Sequence, residues 1–300
     1  MFIKRTNLQN YVEYYLLKVS IFMVYLLGRS FANFLGEILI FVFYYFIPIR
    51  KKQVLENIAL SFPEKTKKQI NRIAKNTYRT FMKVFIDMFF ISKMPDSKIE
   101  KMLIYDEEMI GKTLAKGKGL VLLSAHFGNW ELSALAFAKR YTVATIVSKQ
   151  SNAFIDKMLN GFRNRKGFNI IDFNRDDKIS FRHIVKALRK NQVFAILGDQ
   201  DAGHEGIFLP FFGRLVSTPR GPAFFALRAG SPIFTAFGVR QEDGSMKMKI
   251  EELAMPNTGD DEKDIEIINS IYNKRLEEVI RENPDQWFWF HRRWNTRPKK

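Results

Sequence analysis

The residues best suited to chemistry are His126 and Glu131, five positions apart in the run Leu-Val-Leu-Leu-Ser-Ala-His-Phe-Gly-Asn-Trp-Glu that occupies residues 120–131. A neutral imidazole can take a proton from a hydroxyl, and a carboxylate on its other nitrogen fixes the tautomer and steadies the imidazolium that forms. The chemistry that fits the pair is general base catalysis. The plain alternative is a histidine that ends a strand and a first-turn acid favoured by the helix dipole. His-x4-Glu by itself is a short pattern with many accidental matches.

Such a pair needs a strand and a helix to hold it. The apolar run 120–123 predicts a buried strand, Gly128 and Asn129 break it, and a helix follows over 131–140. An open α/β sheet places its active site at such turns, beyond the carboxyl ends of its strands. The alternation continues, with strands expected at 142–147, 169–171, 193–197, 233–239 and 246–251 and helices over 151–166, 179–190 and 264–283. This spacing implies an α/β fold: a mixed, largely parallel sheet flanked by helices. Ahead of it, residues 65–91 read as an amphipathic helix, with Ile70, Ile73, Tyr78, Phe81, Phe85 and Met88 near helical spacing. The chain divides into an N-terminal membrane anchor (1–52), a helical preface (53–118) and an α/β catalytic region (119–300).

Other residues are candidates for the same cleft. The helix over 151–166 carries Arg163 and Arg165 near its end, and a guanidinium recognises phosphate or carboxylate through a planar fork. Asp199, Gln200 and Asp201 follow the strand at 193–197, although turns use aspartate too. Two carboxylates are too few for a metal site, and no metal is expected. Residues 208–213 read as an apolar loop whose Phe208, Phe211 and Phe212 either line an acyl-chain pocket or fill core. Thr218 reads as a helix N-cap followed by Pro219, with Arg220 beside a helix start that could hold an anion. The segment 286–298 interleaves aromatics with His291, Arg292 and Arg293, which suits stacking and phosphate contacts, or else a closing segment whose aromatics are core.

Composition narrows the classes. Three hundred residues, 46% hydrophobic, can bury a large core, and a net charge of +17 points to a polyanionic partner: nucleic acid, an anionic membrane, a phosphorylated substrate or an acidic protein. The absence of cysteine excludes disulfides, thiolate catalysis and zinc–cysteine sites. There is no Gly-x-Ser-x-Gly elbow or phosphate loop, so a histidine-driven transfer reads as direct. Residues 15–49 are dense in apolar and aromatic side chains, but Lys18, Arg29 and Glu37 interrupt them, short of the roughly 20 apolar residues of a clean span. Arg50, Lys51 and Lys52 follow, which favours the cytoplasmic side. The expectation is either one span over about residues 15–35 or helices lying in the interface.

Four stretches in order, His126 to Glu131, Gly-Asp-Gln-Asp at 198–201, residues 208–213 with Thr218, and the aromatic-His-Arg-Arg-x-x-Thr-Arg-Pro run ending at Pro298, resemble the late acyltransferases of lipid A biosynthesis, the lauroyl and myristoyl transferases. The resemblance covers nearly the whole chain. It implies direct transfer of a fatty acyl group from an acyl carrier protein thioester to a hydroxyl of a lipid A precursor, without a cofactor. His126 would be the base, Glu131 its partner, and Arg163 an active-site arginine, with Arg165 fitting nearly as well. It implies the cytoplasmic face of the bacterial inner membrane, with acyl carrier protein, lipid A precursor and inner-membrane lipids as partners and no nucleic acid. A basic enzyme suits an acidic carrier, a phosphorylated acceptor and an anionic membrane. Turn amides near Gly128 and nearby side chains are candidate donors to the oxyanion. Related enzymes acylate mannosides and glycerol lipids, so another glycolipid or phospholipid acceptor is the alternative. A non-catalytic basic protein that binds membranes or nucleic acid is the alternative of another class.

Overall fold

The computed structural model describes residues 6–147, 149–171 and 178–298; residues 1–5 of the expected anchor lie outside the described residues. The chain opens with α1 (Asn7–Tyr45), started by a capping box in which Thr6 accepts from the Gln9 amide while the Gln9 side chain accepts from the Thr6 amide. Gly28 interrupts it with φ 80° and ψ 178°, a conformation glycine adopts without steric cost. By length and composition α1 could cross a membrane. The three charges that interrupt its apolar run are all engaged. Arg29 donates to Asp87, Arg79 donates to Glu37 at 3.2 Å, and Lys18 Nζ lies 5.3 Å from the Tyr14 ring centroid.

Next come α2 (Lys51–Ser61) and α3 (Lys67–Ile91), the latter started by a second capping box from Thr66 and Gln69. α3 runs antiparallel along α1. Tyr44 meets Tyr78 edge-on at 5.4 Å near one end, and the Tyr25 hydroxyl donates to the Phe89 carbonyl near the other. The preface then has α4 (Asp96–Lys101), the two-residue β1 (Leu103–Ile104) and α5 (Glu107–Leu114).

The α/β region follows as β2 (Leu120–Ser124), α6 (Trp130–Ala138), β3 (Val143–Ile146), α7 (Ala153–Arg165), β4 (Phe168–Ile171), α8 (Lys178–Arg189) and β5 (Val193–Leu197). It closes with β6 (Ile207–Phe211), β7 (Arg214–Thr218), α9 (Gly221–Ala229), β8 (Ile233–Arg240), β9 (Met246–Glu252) and α10 (Asp261–Glu282). The sheet order is β1-β9-β8-β2-β5-β3-β4; all neighbours run parallel except β8 and β9. The expected mixed, largely parallel sheet is what forms, and β2 is central, buried along its length.

Two local expectations are corrected. The apolar stretch at 208–213 belongs to the β6–β7 hairpin, not to a loop. Its turn is Phe212-Gly213, both with positive φ (49° and 68°), as a two-residue hairpin needs. Pro210 hid the strand, since proline is tolerated only where a ladder bond is dispensable. Thr218 is not a helix cap; it is the last residue of β7, and α9 starts at Gly221 with Pro222 in its first turn.

Candidate active site

β2 and β5 are parallel neighbours with Ser124 opposite Leu197. Two residues beyond that pair on each strand stand His126 and Asp199, so equal overshoot brings them together. Asp199 Oδ1 lies 2.8 Å from His126 Nδ1, while Oδ2 accepts from the His126 amide at 3.0 Å and from Trp287 Nε1 at 2.9 Å. Asp199 is 2% exposed. Burial pushes its carboxyl up, but the His126 charge and hydrogen bonds and the Trp287 indole outweigh it and hold the group below its ordinary value. An ionised Asp199 takes the Nδ1 proton in hydrogen bond and leaves Nε2 as the ring's acceptor.

The carboxylate on His126 is therefore Asp199, not Glu131. Glu131 lies in the first turn of α6, where it accepts from Arg163 Nη2 and, at 3.4 Å, from Arg163 Nε on α7. Both side chains of this ion pair are 14% exposed. It adjoins the histidine through Trp130, whose ring lies 5.2 Å from the imidazole. Arg165, near the end of the same helix, is exposed and not brought to the site.

The turn that carries His126 is clamped from three sides. Gly128 has φ 54°, and a Cβ there would stand 2.2 Å from the Gly238 carbonyl oxygen, so only glycine fits. The Gly128 amide donates to Gln286 O at 2.8 Å and the Phe288 amide donates to His126 O at 3.1 Å, pairing the turn with the aromatic closing segment. The amides of His126, Phe127 and Gly128 are thus all occupied, so of the turn amides expected to serve an oxyanion these three are engaged elsewhere. Asn129 caps α6, its Oδ1 accepting from the Leu132 amide at 3.0 Å, and its Nδ2 donates to Asp87 Oδ2 at 3.0 Å. Asp87, 3% exposed, also accepts from Arg240 and Arg29. Asp87 belongs to none of the motifs in the sequence. Its signal was its place on the apolar side of α3, among Val84, Ile86 and Ile91.

The remaining candidates divide clearly. Gln200 reaches the imidazole, its Nε2 lying 3.3 Å from His126 Nε2. Asp201 is turned to the closing segment, its amide donating to His291 Nε2 at 2.9 Å and its Oδ2 accepting from Thr296 at 2.7 Å. Arg293 is wholly buried; Nη1 donates to Gln200 O at 3.0 Å and to Ser217 O, and Nη2 to Thr218 Oγ1 at 2.9 Å. Burial pulls its guanidinium down to about 10, still charged at neutral pH. Arg293 and Thr218 thus staple the end of β5 to the hairpin. Arg220 is held by Glu262 and Arg292 is exposed. Phe211 and Phe212 are core, packed on Trp287 at 5.5 Å and on Phe62 at 5.4 Å; of the three phenylalanines only Phe208 is part-exposed. Among the described residues no cluster of three metal-ligating side chains occurs.

A family model described as bacterial lipid A biosynthesis acyltransferase matches residues 2–296. The chain belongs to that family. The matched span includes His126, Asp199, Trp287 and Arg293, so the whole clamp lies inside it. The chain is 26% identical over 257 residues to the lipid A biosynthesis lauroyltransferase of Escherichia coli K12, covering 85% of this chain and 82% of that one. It is 24% identical over 256 residues to the lipid A biosynthesis palmitoleoyltransferase of the same organism, covering 84% and 81%. It is also similar to the phosphatidylinositol mannoside acyltransferase of Mycolicibacterium smegmatis, 21% identical over 196 residues, 65% of this chain and 63% of that one.

Proposed function

We propose that this family member transfers a fatty acyl group from an acyl carrier protein thioester directly to a hydroxyl of a lipid A precursor, with His126 as general base. The observation that carries the reading is the buried Asp199 carboxylate on His126 Nδ1, which leaves Nε2 as the ring's acceptor, where the substrate hydroxyl takes the place of the Gln200 amide. The acceptor hydroxyl donates to Nε2. As its oxygen bonds to the thioester carbonyl carbon, its proton passes to the imidazole and Asp199 steadies the imidazolium. The tetrahedral oxyanion then re-forms the carbonyl, the carbon–sulfur bond breaks, and the departing thiolate takes the proton back. The Gln200 amide, beside Nε2, is the oxyanion donor nearest the reacting atoms. Glu131 fixes Arg163, whose remaining N–H groups meet a carboxylate or phosphate of the substrates.

The lauroyl- and palmitoleoyltransferase relatives support a lipid A acceptor, and the net charge of +17 suits an acidic carrier at an anionic membrane. The outward apolar side of α1 supports membrane attachment, and the basic run Arg50, Lys51 and Lys52 suits a catalytic body on the cytoplasmic side of the inner membrane. The mannoside acyltransferase relative favours one second reading, the same chemistry on another glycolipid.

The test incubates the protein and its His126→Ala variant with lauroyl- or myristoyl-carrier protein and a phosphorylated lipid A precursor, read by mass spectrometry. A product heavier by one acyl group, lost in the variant, is expected. Transfer to a mannoside or lysophospholipid instead would replace the acceptor. Absence of transfer to every acceptor would leave a basic membrane-binding protein.

A further inference from the structure

We infer that α1 lies in the plane of the membrane, immersed in a single leaflet of anionic lipid, and does not cross it. The inference rests on the membrane attachment proposed above and goes beyond it by fixing the topology.

Both ends of α1 are docked on the protein body. Near its start, Asn152, the cap of α7, donates to Asn10 O at 2.9 Å and to Glu13 Oε2 at 3.0 Å, and the Tyr11 ring lies 4.5 Å from Phe154. Near its end, the Tyr44 hydroxyl donates to Asn71 Oδ1 at 3.1 Å. Between them, Arg29 reaches Asp87. One side faces the body at helical spacing throughout, through Asn10, Leu17, Val24, Ala32, Ile40 and Tyr44, and the line is unbroken across Gly28. The other side presents Leu8, Leu16, Phe22, Phe34 and Phe41, all more than half exposed.

A crossing helix is incompatible with this docking. The hydrocarbon core is about 30 Å thick. Crossing it would put the start of α7 and the start of α3 on opposite sides, or bury α7 with Asp156 and Lys157 in lipid. The longest charge-free stretch inside α1 is residues 19–28, about 15 Å of helix. Its inner face is covered by protein and not by water, which explains why apolar residues occur on both sides. Cations flank it along its length and not at one end alone. Lys18 sits over Tyr14 at 5.3 Å, Lys93 over Tyr25 at 3.6 Å, Lys51 over Tyr44 at 4.1 Å and Lys75 over Tyr45 at 5.5 Å. Lysine and tyrosine in this arrangement match a headgroup layer, and the charge selects an anionic one.

The cysteine-free sequence permits a direct test. Single variants Leu16→Cys, Phe22→Cys and Phe34→Cys carry a spin label in vesicles of phosphatidylethanolamine and phosphatidylglycerol. All three labels are expected at one shallow depth, roughly 5–10 Å below the headgroups. Thr6→Cys and the exposed-loop His204→Cys should react with an impermeant maleimide from the same side of the membrane. Depth that rises and falls along α1, or Thr6→Cys reacting from the side opposite His204→Cys, would overturn the in-plane helix while leaving attachment and acyl transfer intact. Failure of the protein to bind the vesicles would overturn both the in-plane helix and the attachment on which it rests.

Discussion

Asp199 holds His126 at two points, through the ring Nδ1 at 2.8 Å and through the backbone amide at 3.0 Å. One bond sets the tautomer and the other sets the turn, so ring and backbone cannot drift apart. Asp199→Asn should therefore lower kcat by about 10³–10⁴-fold with little change in KM, because an amide can donate to Nδ1 and so select the wrong tautomer. Single-turnover acyl transfer checks this, with circular dichroism to show the fold retained. A loss below tenfold would mean that His126 does not act through Asp199.

Gly128 and Gly213 both have positive φ, but only one of them is crowded. An added Cβ at Gly128 would stand 2.2 Å from Gly238 O, whereas at Gly213 nothing lies within 4 Å. Gly128→Ala should cost about 3 kcal/mol or more, combining strain with overpacking, and Gly213→Ala about 1 kcal/mol from strain alone. Thermal melts of the two variants give the comparison, and equal losses would contradict the clamp.

Asp87 gathers Arg240, Arg29 and Asn129 around one buried carboxylate. Asp87→Ala should destabilise by about 3–5 kcal/mol, chiefly by stranding Arg240 in a buried site. Arg29, 44% exposed, contributes little because water screens it. The variant should also lose transfer activity, since Asn129 would no longer be fixed at the start of α6. Denaturant melts and transfer assays on Asp87→Ala and Arg29→Ala separate the two effects.

His291 predicts acid sensitivity. Burial lowers its pKa below the ordinary value of 6.5, and its Nε2 accepts from the Asp201 amide, so it is held neutral. In the unfolded chain it binds a proton below about pH 6.5 while the folded form resists, so stability falls as the pH drops from there towards the folded pKa. Above pH 7 the residue makes no pH-dependent contribution. Melting temperatures should fall more steeply between pH 7 and 5.5 in the native protein than in His291→Gln. Parallel curves would contradict this assignment.

The period of the chain made most of the sheet and helices legible, because alternation of short apolar runs with amphipathic segments is a local property. Both members of the His126–Asp199 pair stood out as strand-end polar residues. Their pairing did not, because 73 residues separate them and strand order is fixed by long-range packing. Proximity along the chain favoured Glu131 as the partner; sheet register chose Asp199. Arg293 reads in the sequence as a candidate for phosphate or substrate contacts, since nothing local reveals that three oxygens await it in the core. The hairpin was masked by Pro210, and Asp87 by the charged helix around it.

The pairing of Phe127 with Trp287 orders events during synthesis. α1 leaves the ribosome well before the segment that supplies Trp287 and Arg293. At roughly 5–20 residues per second the interval is about ten seconds to a minute. A chain held at the membrane by α1 during that time still has an open histidine turn, with Asp199 lacking its indole and the hairpin unstapled. On the attachment proposed above, binding would precede activation: a nascent chain would be held at the membrane before Trp287 and Arg293 complete the site, and a frameshift after residue 286 is expected to give a bound but inert protein.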